Sequence, residues 1–148
     1  MAISQAMCTS FKQELLTATH NFTNSTGNTF KLALFRATAS IVGTFGAGTT
    51  NYSNMGADEA SGTNYTAGGS ALTNVTPTTS STTALTDFSD LVFSTVTITT
   101  SGALIYNSSA SNKAVGVFAF GSDKTATAGD LTIIFPTADA SNAVIRLT

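Results

Sequence analysis

Residues 94–146 constrain this chain more than any other stretch, because they read as four strands in quick succession, 96–100, 103–106, 114–120 and 131–135, with 143–147 closing the chain as a fifth. Each run is short, rich in β-branched and aromatic residues, and bounded by Gly, Asn, Ser or Pro. That is the composition of a half-buried pleated surface rather than of a helix. Within it, Ser101-Gly102 is predicted to make a tight connection and residues 107–113 a polar hairpin loop, while 121–124 form a turn and 125–130 lead into the next strand. Pro136 ends the strand 131–135, since proline has no amide hydrogen for the ladder.

Upstream, residues 29–36 alternate Phe30, Leu32 and Leu34 against Lys31, Ala33 and Phe35, so both faces are apolar and a central strand covered on each side is expected. Residues 83–88 and 90–100 are further strands. In the second, Val92, Ser94, Val96 and Ile98 share one face, and Phe93, Thr95, Thr97 and Thr99 share the other, with the hydroxyl row exposed. Residues 4–20 carry the only helical pattern, a stripe of Met7, Phe11, Leu15 and Ala18 flanked by Cys8 and Leu16, with Ser4 as cap and Asn21 as stop. So short an amphipathic helix must lay its stripe on a sheet or on a neighbouring subunit.

Residues 38–82 are loop-rich, with scattered apolar anchors, candidate short strands at 72–75 and 41–45, and one helix-favouring run at 57–60. The patch 76–83 reads as a loop inside the domain. Six to nine short strands with frequent turn signals indicate a mainly β fold: a single-domain, two-layer β-sandwich or jelly-roll-like unit spanning 1–148, with one N-terminal amphipathic helix. Long connections in compact domains are often interaction surfaces, so Tyr52, Met55, Tyr65 and Leu72 are the candidate partner interface.

Only 9% of the residues are charged, against about 25% in an average domain, whereas Ser and Thr make up roughly 30%. Solubility therefore rests on hydroxyls and amides, which can also bond to a neighbouring protein at a lower desolvation cost than Lys or Glu. A net charge of -2 with no basic run argues against nucleic-acid binding. The start has no basic segment followed by an apolar one, and no later apolar run approaches membrane-spanning length, so a soluble, cytoplasmically made protein without membrane association is expected.

The residues that carry chemistry are few. His20, the one histidine, sits at the end of the predicted helix, where its charge suits the helix C-terminus. The single Cys8 is expected to be a buried, unreactive thiol. Asp58-Glu59, Asp87/Asp90, Asp123/Asp130 and Asp139 fall in turns, where carboxylates bond to their own backbone. No catalytic, cofactor-binding or metal-ligating set is expected, and no cofactor. Tyr52, Tyr65 and Tyr106, flanked by Asn and Ser, suit either a sugar-binding surface or a core or interface cluster.

Several segments together resemble the small structural proteins of tailed bacteriophages: MCTSFKQELL at 7–16 with HNF at 20–22, TFKLALF at 29–35, NYTAGG at 64–69, GALIYN at 102–107 and FGSDK at 120–124. Within that group the chain looks like the head decoration or cement proteins. The resemblance covers most of the chain and carries no catalytic signature. It implies a non-enzymatic virion protein on the capsid exterior, made in the host bacterial cytoplasm, binding the major capsid protein and self-associating as a homodimer or homotrimer. The alternatives are a tail, neck or fibre-attachment protein with a tail or neck partner, and a carbohydrate-binding module used in host adsorption.

Overall fold

The computed structural model of the chain describes residues 3–36 and 45–148. Two strands dominate it: β6, Leu91–Asn107, and β7, Lys113–Ile133, seventeen and twenty-one residues long and paired antiparallel along their lengths. They are preceded by β1 (Ala6–Met7), helix α1 (Thr9–Leu16), β2 (Phe30–Phe35), β3 (Ser70–Ala71), β4 (Asn74–Ser80) and β5 (Thr83–Phe88), and followed by β8 (Ile145–Leu147). One sheet has the order β1-β7-β6-β2-β3 and the other β4-β5-β8. The fold is mainly β, a two-layer sandwich with one short N-terminal helix. As expected, β2 is central, flanked by β6 and β3, and five of its six residues are buried.

The strands expected at 96–100 and 103–106 are one strand, and so are those at 114–120 and 131–135, because the Gly-containing segments between them are bulges rather than turns. Between the pairs Thr100↔Lys124 and Gly102↔Ala119, β7 carries three extra residues, with Gly121 at φ +74°. Ser101 Oγ donates to Asp123 Oδ1 across this irregularity at 2.6 Å. A second bulge places an extra β6 residue at Thr95, φ +51°, whose amide donates to Asp130 Oδ1 at 2.8 Å. A third sits at Ala128 of β7, φ +47°, whose amide donates to Thr97 Oγ1 at 2.9 Å. At the second and third of these kinks, side chains thus satisfy the amides released from the ladder.

The bulge at Thr95 also resets the alternation. Phe93, Val96, Ile98 and Thr100 all face the core, while Ser94, Thr95 and Thr97 are exposed. The hydroxyl row is therefore outside, but Phe93 leaves it for the core and Val92 takes an exposed position. Two further corrections concern the loop-rich half. Residues 76–80 belong to β4 and turn through Ser81-Thr82 into β5, since threonines suit a strand whose two faces are both exposed. The run expected at 72–75 divides between Leu72 and the start of β4 at Asn74, and residues 41–44 of the other candidate lie outside the described residues.

The sheets are joined by aromatic rings. Phe22 stacks on Phe30 of β2 with centroids 4.3 Å apart, and Phe30 meets Phe88 of β5 at 5.7 Å. Phe88 then touches Phe135 at 5.8 Å. Burying a phenylalanine side chain contributes about 1.5–3 kcal/mol, so this chain of rings outweighs the half-exposed Arg36–Asp123 contact at 3.9 Å, a class of pair worth about 0–1 kcal/mol.

Helix α1 packs on β7 through Phe11, its one fully buried residue. It is shorter than the predicted 4–20 for two reasons. Residues 6–7 pair with Val117 and Gly116 as β1, which leaves Cys8 as the N-cap. At the other end Ala18 turns left-handed at φ +55°, with its amide bonded to Leu15 O and that of Thr19 to Glu14 O. That is a Schellman stop, with alanine where glycine is usual. Leu16 is consequently exposed rather than part of the stripe.

Beyond the helix, His20 is buried in a polar network. Asn107 Nδ2 donates to His20 Nδ1 at 2.9 Å and to Asn28 Oδ1 at 3.0 Å, so His20 Nε2 carries the proton given to Glu14 Oε2 at 2.7 Å. Asn107 Oδ1 accepts from the Ser109 amide, which fixes the orientation of this amide group. Lys113 Nζ holds the other Glu14 oxygen at 2.7 Å. Burial opposes ionisation of Glu14, but the bonds from Lys113 and His20 outweigh it and hold the carboxyl below its ordinary value.

Two glycine exchanges test these local readings in opposite directions. Ala18→Gly relieves the left-handed strain and should raise unfolding stability by about 0.5–1 kcal/mol. Gly102→Ala would set a Cβ 2.6 Å from Phe35 Cζ and into the carbonyl of Phe118, and should lower stability by about 1–3 kcal/mol. Urea unfolding of both variants, with an unchanged m-value, checks the signs.

Candidate functional site

Segment 45–69 crosses one side of the five-stranded sheet and is pinned to it at several points. Asn51 caps a 3-10 turn at Tyr52–Asn54 in a reciprocal capping box with Asn54, and its Nδ2 donates to Ser111 O in the β6–β7 turn at 2.8 Å. A second 3-10 turn, Gly56–Asp58, follows. The Ala60 amide then bonds Leu34 O and the Arg36 amide bonds Asp58 O, so this part runs beside the end of β2. Thr63 pairs with Thr97 on the free edge of β6. Gly69, at φ +68°, lies so close to Leu32 O that no side chain could be added there.

The centre of this arrangement is Glu59. Its Oε2 accepts from Tyr52 OH at 2.6 Å, and its Oε1 accepts from Tyr65 OH at 2.9 Å and from the Gly68 amide at 2.6 Å. Tyr65 OH also accepts from the Leu34 amide at 2.9 Å, and Tyr106 OH donates to Gly68 O at 2.7 Å. Tyr52 and Tyr106 stack with centroids 4.7 Å apart, and Tyr65 packs on Phe93. All three tyrosines of the chain therefore converge on one carboxylate and one glycine. Burial, and then proximity to Glu59, holds each phenol above its ordinary value, that of Tyr106 at about 12.

The four residues expected at the partner interface do not form one exposed face. Met55 and Leu72 are 1% and 8% exposed and belong to the core, whereas Tyr52 and Tyr65 are half-buried with their hydroxyls already bonded. The side chains left outward in this segment are small and uncharged: Ser53, Asn54, Ser61, Thr63, Asn64 and Thr66. Glu59 stood out in the sequence only as half of a turn dyad with Asp58. No local pattern marked it as the acceptor that Tyr52 and Tyr65 share.

Asp87, Asp90, Asp123, Asp130 and Asp139 also have structural partners. Asp123 and Asp130 support bulges, Asp90 Oδ1 accepts from the Phe135 amide at 2.9 Å, and Asp139 accepts from the amides of Ser141 and Asn142 at 2.7 Å each. Asp87 is 2% exposed, with Oδ1 on the Phe88 amide and the carboxylate also drawn toward the Val144 amide, and burial pushes its carboxyl up. Cys8 is fully buried, and burial followed by the nearby Glu14 pushes its thiol up to about 11, which makes it a poor nucleophile. Among the described residues no group of His, Cys, Asp and Glu is placed to hold a metal ion, and no helix is long and apolar enough to cross a membrane.

No protein-family model matches the chain, and neither the curated proteins nor the solved structures give a match.

The tyrosine cluster gives a direct optical test. Unfolded tyrosines ionise near about 10, whereas the folded ones hold their protons to higher pH, so above that value the native state binds more protons and stability falls as pH rises. With three tyrosines and no tryptophan, absorbance of tyrosinate should stay low past pH 10 and rise in one step with unfolding. Tyr65→Phe should lower stability by about 1–3 kcal/mol, because it leaves the buried Leu34 amide without its acceptor. A gradual titration near pH 10 in the folded protein would contradict the burial of these hydroxyls.

Proposed function

We propose that this chain is a non-enzymatic virion structural protein that decorates the outside of a tailed-phage head and stabilises the contacts between capsid subunits. The observation that carries the reading is the character of segment 53–67: an outward rim of hydroxyl, amide, glycine and alanine groups, with Arg36 as the exposed charge beside it, held in place from beneath by the Glu59–tyrosine cluster. Such a surface can be covered by another protein without stripping water from ammonium or carboxylate groups. Because it is already ordered, little conformational entropy is lost on docking.

The resemblance to decoration proteins agrees with this chemistry. A protein that sits where capsid subunits meet needs only a standard interface, about 1,600 Å², since the lattice repeats a modest free energy many times. Local symmetry axes then favour a homodimer or homotrimer. The partner in this reading is the major capsid protein, and the work is mechanical: more surface must be separated before subunits part.

Recombinant protein should bind phage capsids that lack it and raise their melting temperature. Ser61→Lys and Thr66→Lys, both at exposed positions, should leave the isolated fold intact and weaken binding by about tenfold or more. Failure to bind any capsid form would overturn the reading, and a C-terminal label found on the tail of imaged virions would move the partner to a tail or neck protein.

A further inference from the structure

Between the second 3-10 turn and β6 lies a polar cavity of about 340 Å³, beside the rim 53–67. Residues 57–61 form one wall, and Thr97 and Thr99 of β6 with Thr125 of β7 form the other. The spacing of the walls is fixed by backbone contacts. Thr63 and Thr97 exchange both of their backbone bonds, at 3.1 and 3.2 Å, and Gly62 lies so close to the Thr97 carbonyl that a Cβ would not fit. On the other side the Arg36 amide donates to Asp58 O and the Ala60 amide to Leu34 O, each at 2.9 Å. The cavity is therefore built into the fold.

Asp58 lines this cavity and is 9% exposed. Its amide bonds Met55 O and its carbonyl the Arg36 amide, but its carboxylate has no hydrogen-bond or ion-pair partner among the described residues. The two carboxylate oxygens are not among the sealed, unpaired polar atoms of the interior, so a ligand in the cavity can reach them. A carboxylate so largely withdrawn from water calls for a donor, and best for one of opposite charge.

The surroundings select the kind of donor. Glu59 stands next to Asp58 on the same wall, and its three bonds come from two phenols and an amide, none of which offsets its charge. Arg36 also lines the cavity, with a half-exposed side chain that lies 3.9 Å from Asp123 and makes no ion pair with Asp58. Two carboxylates against one half-exposed guanidinium repel an anion and attract a cation. Calcium and magnesium ions take six or more oxygens, and among the described residues no group of acidic side chains is placed to supply them. The rest of the lining is rich in hydroxyls. Thr99 Oγ1 and Thr125 Oγ1 lie 2.9 Å apart, one donating to the other, which leaves lone pairs on both, and Ser61 adds a hydroxyl at the rim. A flat cation with several N–H groups matches this set, since it can give two parallel bonds to the carboxylate and the others to hydroxyl oxygens.

We infer that this cavity takes the guanidinium of an arginine carried by the protein that covers rim 53–67, with Asp58 as its ion-pair partner. Whose arginine it is rests on the capsid reading, whereas the preference of the cavity for a guanidinium does not. Docking supplies the buried carboxylate with the donor it lacks, and gives a rim of small neutral groups one point that fixes register. Arg36 opposes the incoming charge, so its removal favours binding.

The test is an NMR titration of the ¹⁵N-labelled full chain at neutral pH with methylguanidinium chloride, with butylammonium chloride for comparison and sodium chloride as the ionic-strength control. Methylguanidinium should give saturable shifts confined to the backbone amides of 57–61, 97–99 and 125, with a dissociation constant in the millimolar range. Butylammonium should bind about threefold more weakly or worse. Asp58→Asn, checked for folding by its melting curve, should weaken methylguanidinium about tenfold or more. Ser61→Lys, at an exposed position, sets a tethered ammonium at the mouth and should weaken it about threefold or more, which keeps the site testable if Asp58→Asn does not fold. Arg36→Ala should tighten it about twofold or more. The inference is overturned if methylguanidinium gives no saturable shifts there, if sodium chloride gives the same ones, if butylammonium binds as well, if the folded Asp58→Asn or Ser61→Lys variant binds like the parent, or if Arg36→Ala weakens binding. Capsid binding separates this inference from the reading it rests on. Capsids that bind the parent and Asp58→Asn equally would remove the arginine and leave the capsid reading standing, whereas methylguanidinium binding without binding to any capsid form would leave the site and remove the capsid.

Discussion

Two strands of seventeen and twenty-one residues can serve a sandwich only if their shared ladder bends, and here the bending is concentrated at irregularities near Thr95, Ala128 and Gly121. These kinks let one hairpin contribute 102–107 and 113–119 to the five-stranded sheet and then continue as a twisted ribbon with Phe93, Val96 and Ile98 turned inward. Each kink releases an amide or crowds the backbone, and Asp130, Thr97 and the Ser101–Asp123 pair answer it. Much of the scarce charge and of the abundant hydroxyl in this region is therefore committed to the backbone.

The same economy runs through the rest of the molecule. Glu14 satisfies His20 and Lys113, and Glu59 satisfies two tyrosines and a backbone amide. Both glutamates work as internal acceptors, drawing a loop or a helix onto the sheet. What is left outside is largely Ser, Thr, Asn, Gly and Ala. In segment 53–67 this links composition to the proposed role: Glu59 is spent on the fold, and the outward side chains of that segment are cheap to desolvate.

Period-two patterning and turn residues were enough to read the mainly β class, the central position of β2, the β5 strand and the loop between β6 and β7. They could not separate a Gly-containing bulge from a Gly-containing turn, because Ser101-Gly102 and Gly121 suit both and only the cross-strand register decides. The helix came out long because Met7 continues the apolar stripe of Phe11 and Leu15, while its backbone is taken by Gly116, more than a hundred residues away. At the candidate site, residue type suggested that Tyr52 and Tyr65 faced a partner. Their true neighbours, Glu59, Leu34 and Gly68, meet only once segment 45–69 has folded across the sheet, and no local pattern announces that. Met55 and Leu72 followed the general rule for large apolar residues and went inside.

The position of β2 has a consequence for the way the chain is made. Phe30–Phe35 is apolar on both faces, yet the strand that covers its longer edge, 102–107, lies in the last third of the sequence. At a synthesis rate of roughly 5–20 residues per second, β2 waits several seconds before its partner has been translated. In that interval the nascent chain offers an unpaired, hydrophobic strand to its surroundings, and only the completed β6–β7 hairpin, which can form from its own short turn, gives it a place to dock. The protein is thus one whose N-terminal half depends on its C-terminal half for shelter, so chains released early by the ribosome would be the aggregation-prone species.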